Sequence, residues 1–235
     1  MHSKQPHLTL CGMRGPLVCI AGKRYDCSMK NPEDMTLNEK LQAHLATVRM
    51  HRSLVRKNLF ACGLYRQGLM HDITKYSPQE LIPSVKYYQG WRSPYMQEKA
   101  EKGYSLGWLH HKGHNRHHWE YWYDMINGTW TPIPMPYEFV VEMLCDRVAA
   151  CRTYLKEKYT RRSALEYYQS RNDRLYMHPD TRKQLEIFLY MTAEYGEEIT
   201  FRLIRNSIRD RKHISEFPPD LHLSEEQIVD NVVMR

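Results

Sequence analysis

The chain has 235 residues, 42% of them hydrophobic and 26% charged, which suits one sizeable folded core and excludes a disordered or fibrous class. Its formal charge of +7 points toward an anionic partner, either a phosphorylated small molecule or nucleic acid. No apolar run reaches the roughly 18–20 residues that cross a bilayer, and LVCIA at 17–21 is short for a signal sequence. The expectation is therefore a cytoplasmic protein with no membrane partner, whose six cysteines are reduced thiols.

In chain order, residues 1–33 read as an irregular N-terminal extension with one short strand at 17–21. Residues 34–212 read as a helical domain, and 213–235 as a tail with a short helix at 223–233. The first helix begins near Asp34, and Leu37, Leu41, His44, Val48, His51, Val55 and Leu59 share one face of it. Two histidines therefore lie on the stripe that faces the core. A shorter helix is expected over GLMHDITKY (68–76). Ser77-Pro78 then restarts a helix, with Ser77 as N-cap and Glu80 placed for a capping box.

The stretch 90–106 reads as loop or short helix. A histidine-rich helix is expected from about Leu106 to Met125, then a turn and an extended connection over NGTWTPIPMP (127–136). Pro136 opens a helix striped by Leu144, Val148, Cys151 and Leu155. Another helix lies near 163–175, and a long one spans Asp180 to Arg211, which covers the core or pairs with a second subunit to make a homodimer. The fold class is all-α.

The chemistry concentrates in HDITK (71–75) and GWLHHKGHNRHHWEYW (107–122), the second holding five of the thirteen histidines. An aspartate next to a histidine offers two neighbouring ligands, and a carboxylate can bridge two cations about 3.5–4 Å apart. Imidazole suits zinc, iron, manganese, cobalt or nickel. His51 lies on the buried stripe of the first helix, Asp146 sits mid-helix among apolar neighbours, and Lys75 follows His71 by one turn. If GWLHHKGHNRHHWEYW is one continuous helix, His111, His114 and His118 share a face, and His110, His114 and His117 an overlapping one.

The order His…His-Asp…Asp across three helices resembles the HD-domain superfamily of metal-dependent phosphohydrolases, over roughly residues 40–160. HDITKYSPQE (71–80) and HHKGHNRHHWE (110–120) also resemble an uncharacterised family of bacterial and phage proteins. The superfamily resemblance implies an HD-like helical bundle holding one or two divalent transition-metal ions. His51, His71, Asp72 and Asp146 would be ligands, and His111 with His117 or His118 would hold a second ion or handle substrate. Glu142 would support Asp146 or replace it, and His44 competes with His51.

The implied activity is hydrolysis of a nucleotide or related phosphate ester by metal-activated water. Lys75, Arg52, Arg147 and Asn115 would bind substrate, Lys75 and Asp72 would serve catalysis, and Glu80 or Asp72 would act as general base. Two rival readings stand beside it, the first with the same ligands. One is an HD-type di-iron oxygenase. The other is a non-catalytic nucleotide-binding module that contacts a nucleotide or nucleic acid through its basic face.

Overall fold

A computed structural model describes residues 31–217, together with a short strand pair, β1 (Cys19–Ile20) against β2 (Lys23–Arg24). The remainder of the N-terminal extension and the helix expected at 223–233 lie outside the described residues. What is described is all-α apart from that pair and one hairpin.

Helix α1 (Leu37–Ala61) starts at a capping box: Thr36 Oγ1 accepts from the Glu39 N–H at 3.2 Å, and the Glu39 carboxylate accepts from the Thr36 N–H at 2.8 Å. It begins slightly later than Asp34 because Pro32–Asp34 form a separate 3-10 turn capped by Asn31. The 4-3 spacing buries His44, Val48, His51, Val55 and Leu59 on one side. Helix α6 (Tyr137–Leu155) packs along that side with Leu144, Cys145, Val148 and Ala149 fully buried. Leu185, Phe188, Leu189 and Met191 of α8 (Pro179–Tyr195) cover the opposite side of α6, and α9 (Glu197–Arg209) closes the core with Leu203 and Ile204. Helix α7 (Ser163–Gln169) fills the corner between α6 and α8. The smaller helices α2 (Tyr65–Met70) and α3 (Pro78–Lys86) pack on α1, and α4 (Pro94–Lys102) and α5 (Leu106–His114) pack on α3, around the polar residues described below.

Four expected helices are interrupted. The one near 163–175 stops at Gln169, before a separate 3-10 turn over Asp173–Tyr176. The 180–211 helix breaks at Gly196 into α8 and α9, and both cover the core of their own chain. Gly196 has φ 84° and ψ 170°, a backbone region that essentially only glycine occupies. The 68–76 helix stops at Met70, leaving His71 and Asp72 in a turn before a 3-10 turn over Ile73–Tyr76. The 106–125 helix stops at His114. Beyond it, β3 (Tyr123–Ile126) pairs antiparallel with β4 (Thr129–Pro132) through Asn127-Gly128, both at positive φ. Asn-Gly is the preferred pair for a tight primed hairpin turn, so the turn expected at 127 becomes the tip of a hairpin.

Cys62, Cys145 and Cys151 are free thiols, and Cys62 Sγ and Cys145 Sγ sit 3.9 Å apart, beyond bonding distance. Among the described residues no helix is long and apolar enough to cross a membrane.

A Cβ at position 196 would meet no atom within 4 Å, so only backbone strain opposes a side chain there. Gly196→Ala should lower unfolding stability by about 1–3 kcal/mol. Urea denaturation followed by circular dichroism checks this; an unchanged midpoint contradicts it.

Candidate metal centre

Asp72 adopts φ 52° and ψ 28°, left-handed geometry that a non-glycine residue takes at some cost and that Asp tolerates better than most. The turn is held from behind. Arg52 Nε donates to the His71 carbonyl at 2.8 Å, and its Nη2 donates to the Leu69 carbonyl at 3.1 Å. So held, the buried Asp72 carboxylate points its two oxygens at two different sets of groups.

The first set surrounds Oδ2. His71 Nε2 lies 3.3 Å from it and His51 Nε2 3.8 Å, and Asp146 Oδ1 stands 2.9 Å from His51 Nε2 and 3.6 Å from His71 Nε2. The second set surrounds Oδ1, with His111 Nε2 at 3.4 Å and His117 Nε2 at 3.5 Å. His118 joins this second group, and the ligand atoms of each group lie within 4.8 Å of one another.

The second set exists because α5 ends early. In a continuous helix, residues six apart point about 120° away from each other, so His111 and His117 would diverge. Asn115 instead takes extended backbone, and its side-chain amide donates to the His111 carbonyl and to Thr74 Oγ1, each at 2.8 Å. The next residues fold back, with the His118 N–H bonded to the Asn115 carbonyl. His117 and His118 thus return toward His111, while His114 is left exposed and stacked on His110 with ring centroids 4.1 Å apart.

Carboxylates behind the cluster orient the imidazoles. Glu142 Oε1 lies 2.9 Å from His71 Nδ1 and 3.1 Å from His117 Nδ1. Glu80, fully buried, lies 2.8 Å from His111 Nδ1 through Oε2 and 2.8 Å from His110 Nδ1 through Oε1, and Tyr95 donates to Oε2 at 2.9 Å. With Nδ1 engaged at the rear, Nε2 is presented at the front. This is how proteins fix the ring orientation of metal-binding histidines.

Burial pushes both rear carboxyls up, but their histidine partners outweigh it. Glu80 falls to about 2, chiefly through His111, and Glu142 to about 2 through His117 and His71. Burial likewise opposes ionisation of Asp72 and Asp146, yet both stay well below the usual carboxylate range, Asp72 through His71 and Lys75 and Asp146 through His51 and His71. Burial disfavours the Lys75 ammonium, but Asp72, 2.5 Å away, holds it charged.

The donor set fits divalent transition ions. Among the buried atoms without a hydrogen-bond partner are His51 Nε2, His71 Nε2, Asp72 Oδ1, His117 Nε2 and His118 Nε2. His51 Nε2 is near Asp146, but the approach is outside hydrogen-bonding geometry. Such orphaned groups cost about 1–3 kcal/mol each, so five gathered at one place call for a ligand that satisfies them together. Ligands bound at about 2.1 Å in a tetrahedron stand about 3.4 Å apart, close to the separations around both oxygens of Asp72.

All seven residues expected as ligands, His51, His71, Asp72, His111, His117, His118 and Asp146, are therefore brought together. Other expectations are redirected. Glu142 sits behind His71 and His117, and His44 packs edge-on against Tyr88 with centroids 6.2 Å apart. Glu80 has both oxygens engaged behind the histidines and is placed neither as a general base nor in a capping box. Asn115 is a buried strut, and Arg52 braces the turn. Arg147 lies against Tyr168 and Met143, turned toward α7.

Solvent reaches the cluster at Asp146 and Lys75, whose side chains are each 19% exposed. His44 and Tyr154 are close enough to feel the Lys75 charge. Burial and the Lys75 charge lower His44 to about 4, and burial raises the Tyr154 hydroxyl, keeping both neutral. The sequence reading missed Tyr88, Tyr154 and Tyr95. Tyr154 lies two four-residue steps beyond Asp146 on α6, a spacing that could have placed it near the site.

Fold and site define an all-α protein with a buried histidine–carboxylate cluster that could hold a metal ion. The chain belongs to the family of unknown function DUF5662, whose pattern matches residues 40–191 and so spans every residue of the cluster. No curated protein and no solved structure matches the chain.

Removing the charge of Glu142 should release both imidazoles it orients. Glu142→Gln should weaken metal affinity by about 10–100-fold with little change in helix content. Metal-binding titration beside circular dichroism tests this; unaltered affinity would show that Glu142 does not orient the histidines.

Proposed function

We propose that this protein is a metal-dependent phosphohydrolase acting on a nucleotide or related phosphate ester. The observation that carries the reading is Asp72 with each carboxylate oxygen facing its own set of imidazoles, an arrangement suited to two ions about 3.5–4 Å apart. His51, His71, Asp72 and Asp146 would hold one ion, and Asp72, His111, His117 and His118 the other. Such ions would supply Lewis-acid activation of a phosphoryl oxygen and of water. The ligand order across α1, the 71–72 turn and α6 also resembles the HD-domain superfamily, which supports hydrolysis as the reaction class.

The chain's own residues then divide the work. Lys75, at the mouth and charged, is placed to offset negative charge on a phosphate. Asp146 borders the open side, where substrate would approach. Glu80 and Glu142 keep the imidazoles oriented, and Arg52 keeps Asp72 in its left-handed turn. Tyr154, close enough to feel the Lys75 charge, stays a neutral phenol and so adds no negative charge that would repel a phosphate. The net charge of +7 favours anionic substrates, with nucleotides the class proposed.

A panel of nucleotides and model phosphodiesters supplied with Mn²⁺ tests the reading. Wild type should hydrolyse at least one class. Asp72→Asn, which keeps the side-chain shape and tolerates left-handed backbone, should lose both bound metal and activity. Lys75→Ala should keep the metal and lower kcat/KM by about 10²–10³-fold. Full activity in Asp72→Asn would sink the proposal, and iron-dependent dioxygen uptake without hydrolysis would replace it with the oxygenase reading.

A further inference from the structure

Behind the 71–72 turn, on the outer face of α1, a groove is lined by Arg49, Arg52, Ser53, Arg56, Gly68 and Tyr76. The three arginines follow one another at spacings of three and four, so they form a single ridge of the helix. Arg52 is fixed in place by its bonds to the His71 and Leu69 carbonyls and lies over the Tyr76 ring at 5.2 Å. Arg49 and Arg56 are exposed on either side of it. Among the described residues no carboxylate pairs with any of the three. A basic face that is merely solvated ordinarily interleaves both signs of charge, whereas this ridge carries one sign and is concave.

Arg49 and Arg56 are seven residues apart, about 10 Å along the helix axis, with Arg52 between them. The ridge therefore spreads its positive charge along one line, which suits a row of phosphoryl groups. Guanidinium forks match phosphate oxygens in pairs, and the Ser53 and Tyr76 hydroxyls add donors along the same wall. Gly68 contributes bare backbone to the lining. Its missing side chain is required for packing, because a Cβ there would come within 3.0 Å of the Phe60 ring.

We infer that this groove is a second anion site, separate from the metal centre, that binds a run of adjacent phosphoryl groups. Those groups belong either to a free polyphosphate or nucleotide, or to the backbone of single-stranded nucleic acid. The inference does not rest on the hydrolase reading, since none of the groove residues is a proposed metal ligand.

Calorimetric titration of tripolyphosphate, and fluorescence anisotropy of a labelled short oligo-dT, would be run on the full chain. Saturable binding of at least one probe is expected, weakening at least about tenfold in the doubly substituted Arg49→Ala/Arg56→Ala protein and persisting in Asp72→Asn. Metal content of the double variant should match wild type. Because both arginines are exposed, folding should be unaffected, and circular dichroism verifies that. Tripolyphosphate binding without oligo-dT binding identifies the free phosphate source; tight oligo-dT binding with weak tripolyphosphate binding identifies the nucleic-acid backbone. The inference is overturned if neither probe binds saturably, or if the double variant binds as wild type does. It is also overturned if binding vanishes in Asp72→Asn alone, which would place the phosphate at the metal centre and leave the hydrolase proposal standing.

Discussion

A single buried carboxylate that must face two ways constrains everything around it. Asp72 reaches both sets of imidazoles only because its backbone is left-handed, and that turn is held by Arg52 from α1. Around it the protein gathers the carboxylates of Asp72, Glu80, Glu142 and Asp146 against one ammonium, Lys75. Burying that much negative charge is strongly unfavourable unless cations or protons compensate it. The imidazoles supply donors with which divalent ions can do so. The rear carboxylates turn Nδ1 away and leave Nε2 facing inward, so orientation and charge compensation are parts of the same arrangement.

The core explains how such a cluster is tolerated. Helices α1 and α6 pack an apolar face with α8 and α9, and the same two helices carry His51, Glu142 and Asp146 into the cluster. His51 and Asp146 project from the middle of these two long helices, which are the best-anchored elements of the fold. His111 comes from α5, and the remaining ligands come from turns, at 71–72 and 115–118, each tied down by hydrogen bonds from neighbouring elements. Rigid helices carry two of the first group, and braced turns bring in the others.

Much of this was legible in the sequence. Periodicity placed α1 and α6 and put His51 on a buried face, the Ser77-Pro78 start placed α3, and the HDITK doublet stood out as chemistry. The histidine-rich stretch was legible in content but not in shape. The break at Asn115 depends on its contact with Thr74, 41 positions away, which no local pattern reveals. Gly196 is a local stop signal inside the 180–211 stretch, and Asn127-Gly128, expected as a turn, is also the signal of a tight hairpin that pairs its two flanks. Glu80 illustrates the opposite case. Its spacing from Ser77 matches a capping box, yet burial against His110, His111 and Tyr95 decides its role, and those partners come from α4 and α5. Arg52 and Arg147 were legible as charge, but direction was not: one braces a turn and the other faces α7.

The central claim is that Asp72 bridges two ions. Anomalous diffraction from crystals grown with Mn²⁺ tests it most directly. The account predicts two peaks about 3.5–4 Å apart, one on each side of the Asp72 carboxylate. One should lie beside His51, His71 and Asp146, and the other beside His111, His117 and His118. No peak within bonding distance of Asp72, or metal bound only at some other surface, would contradict it.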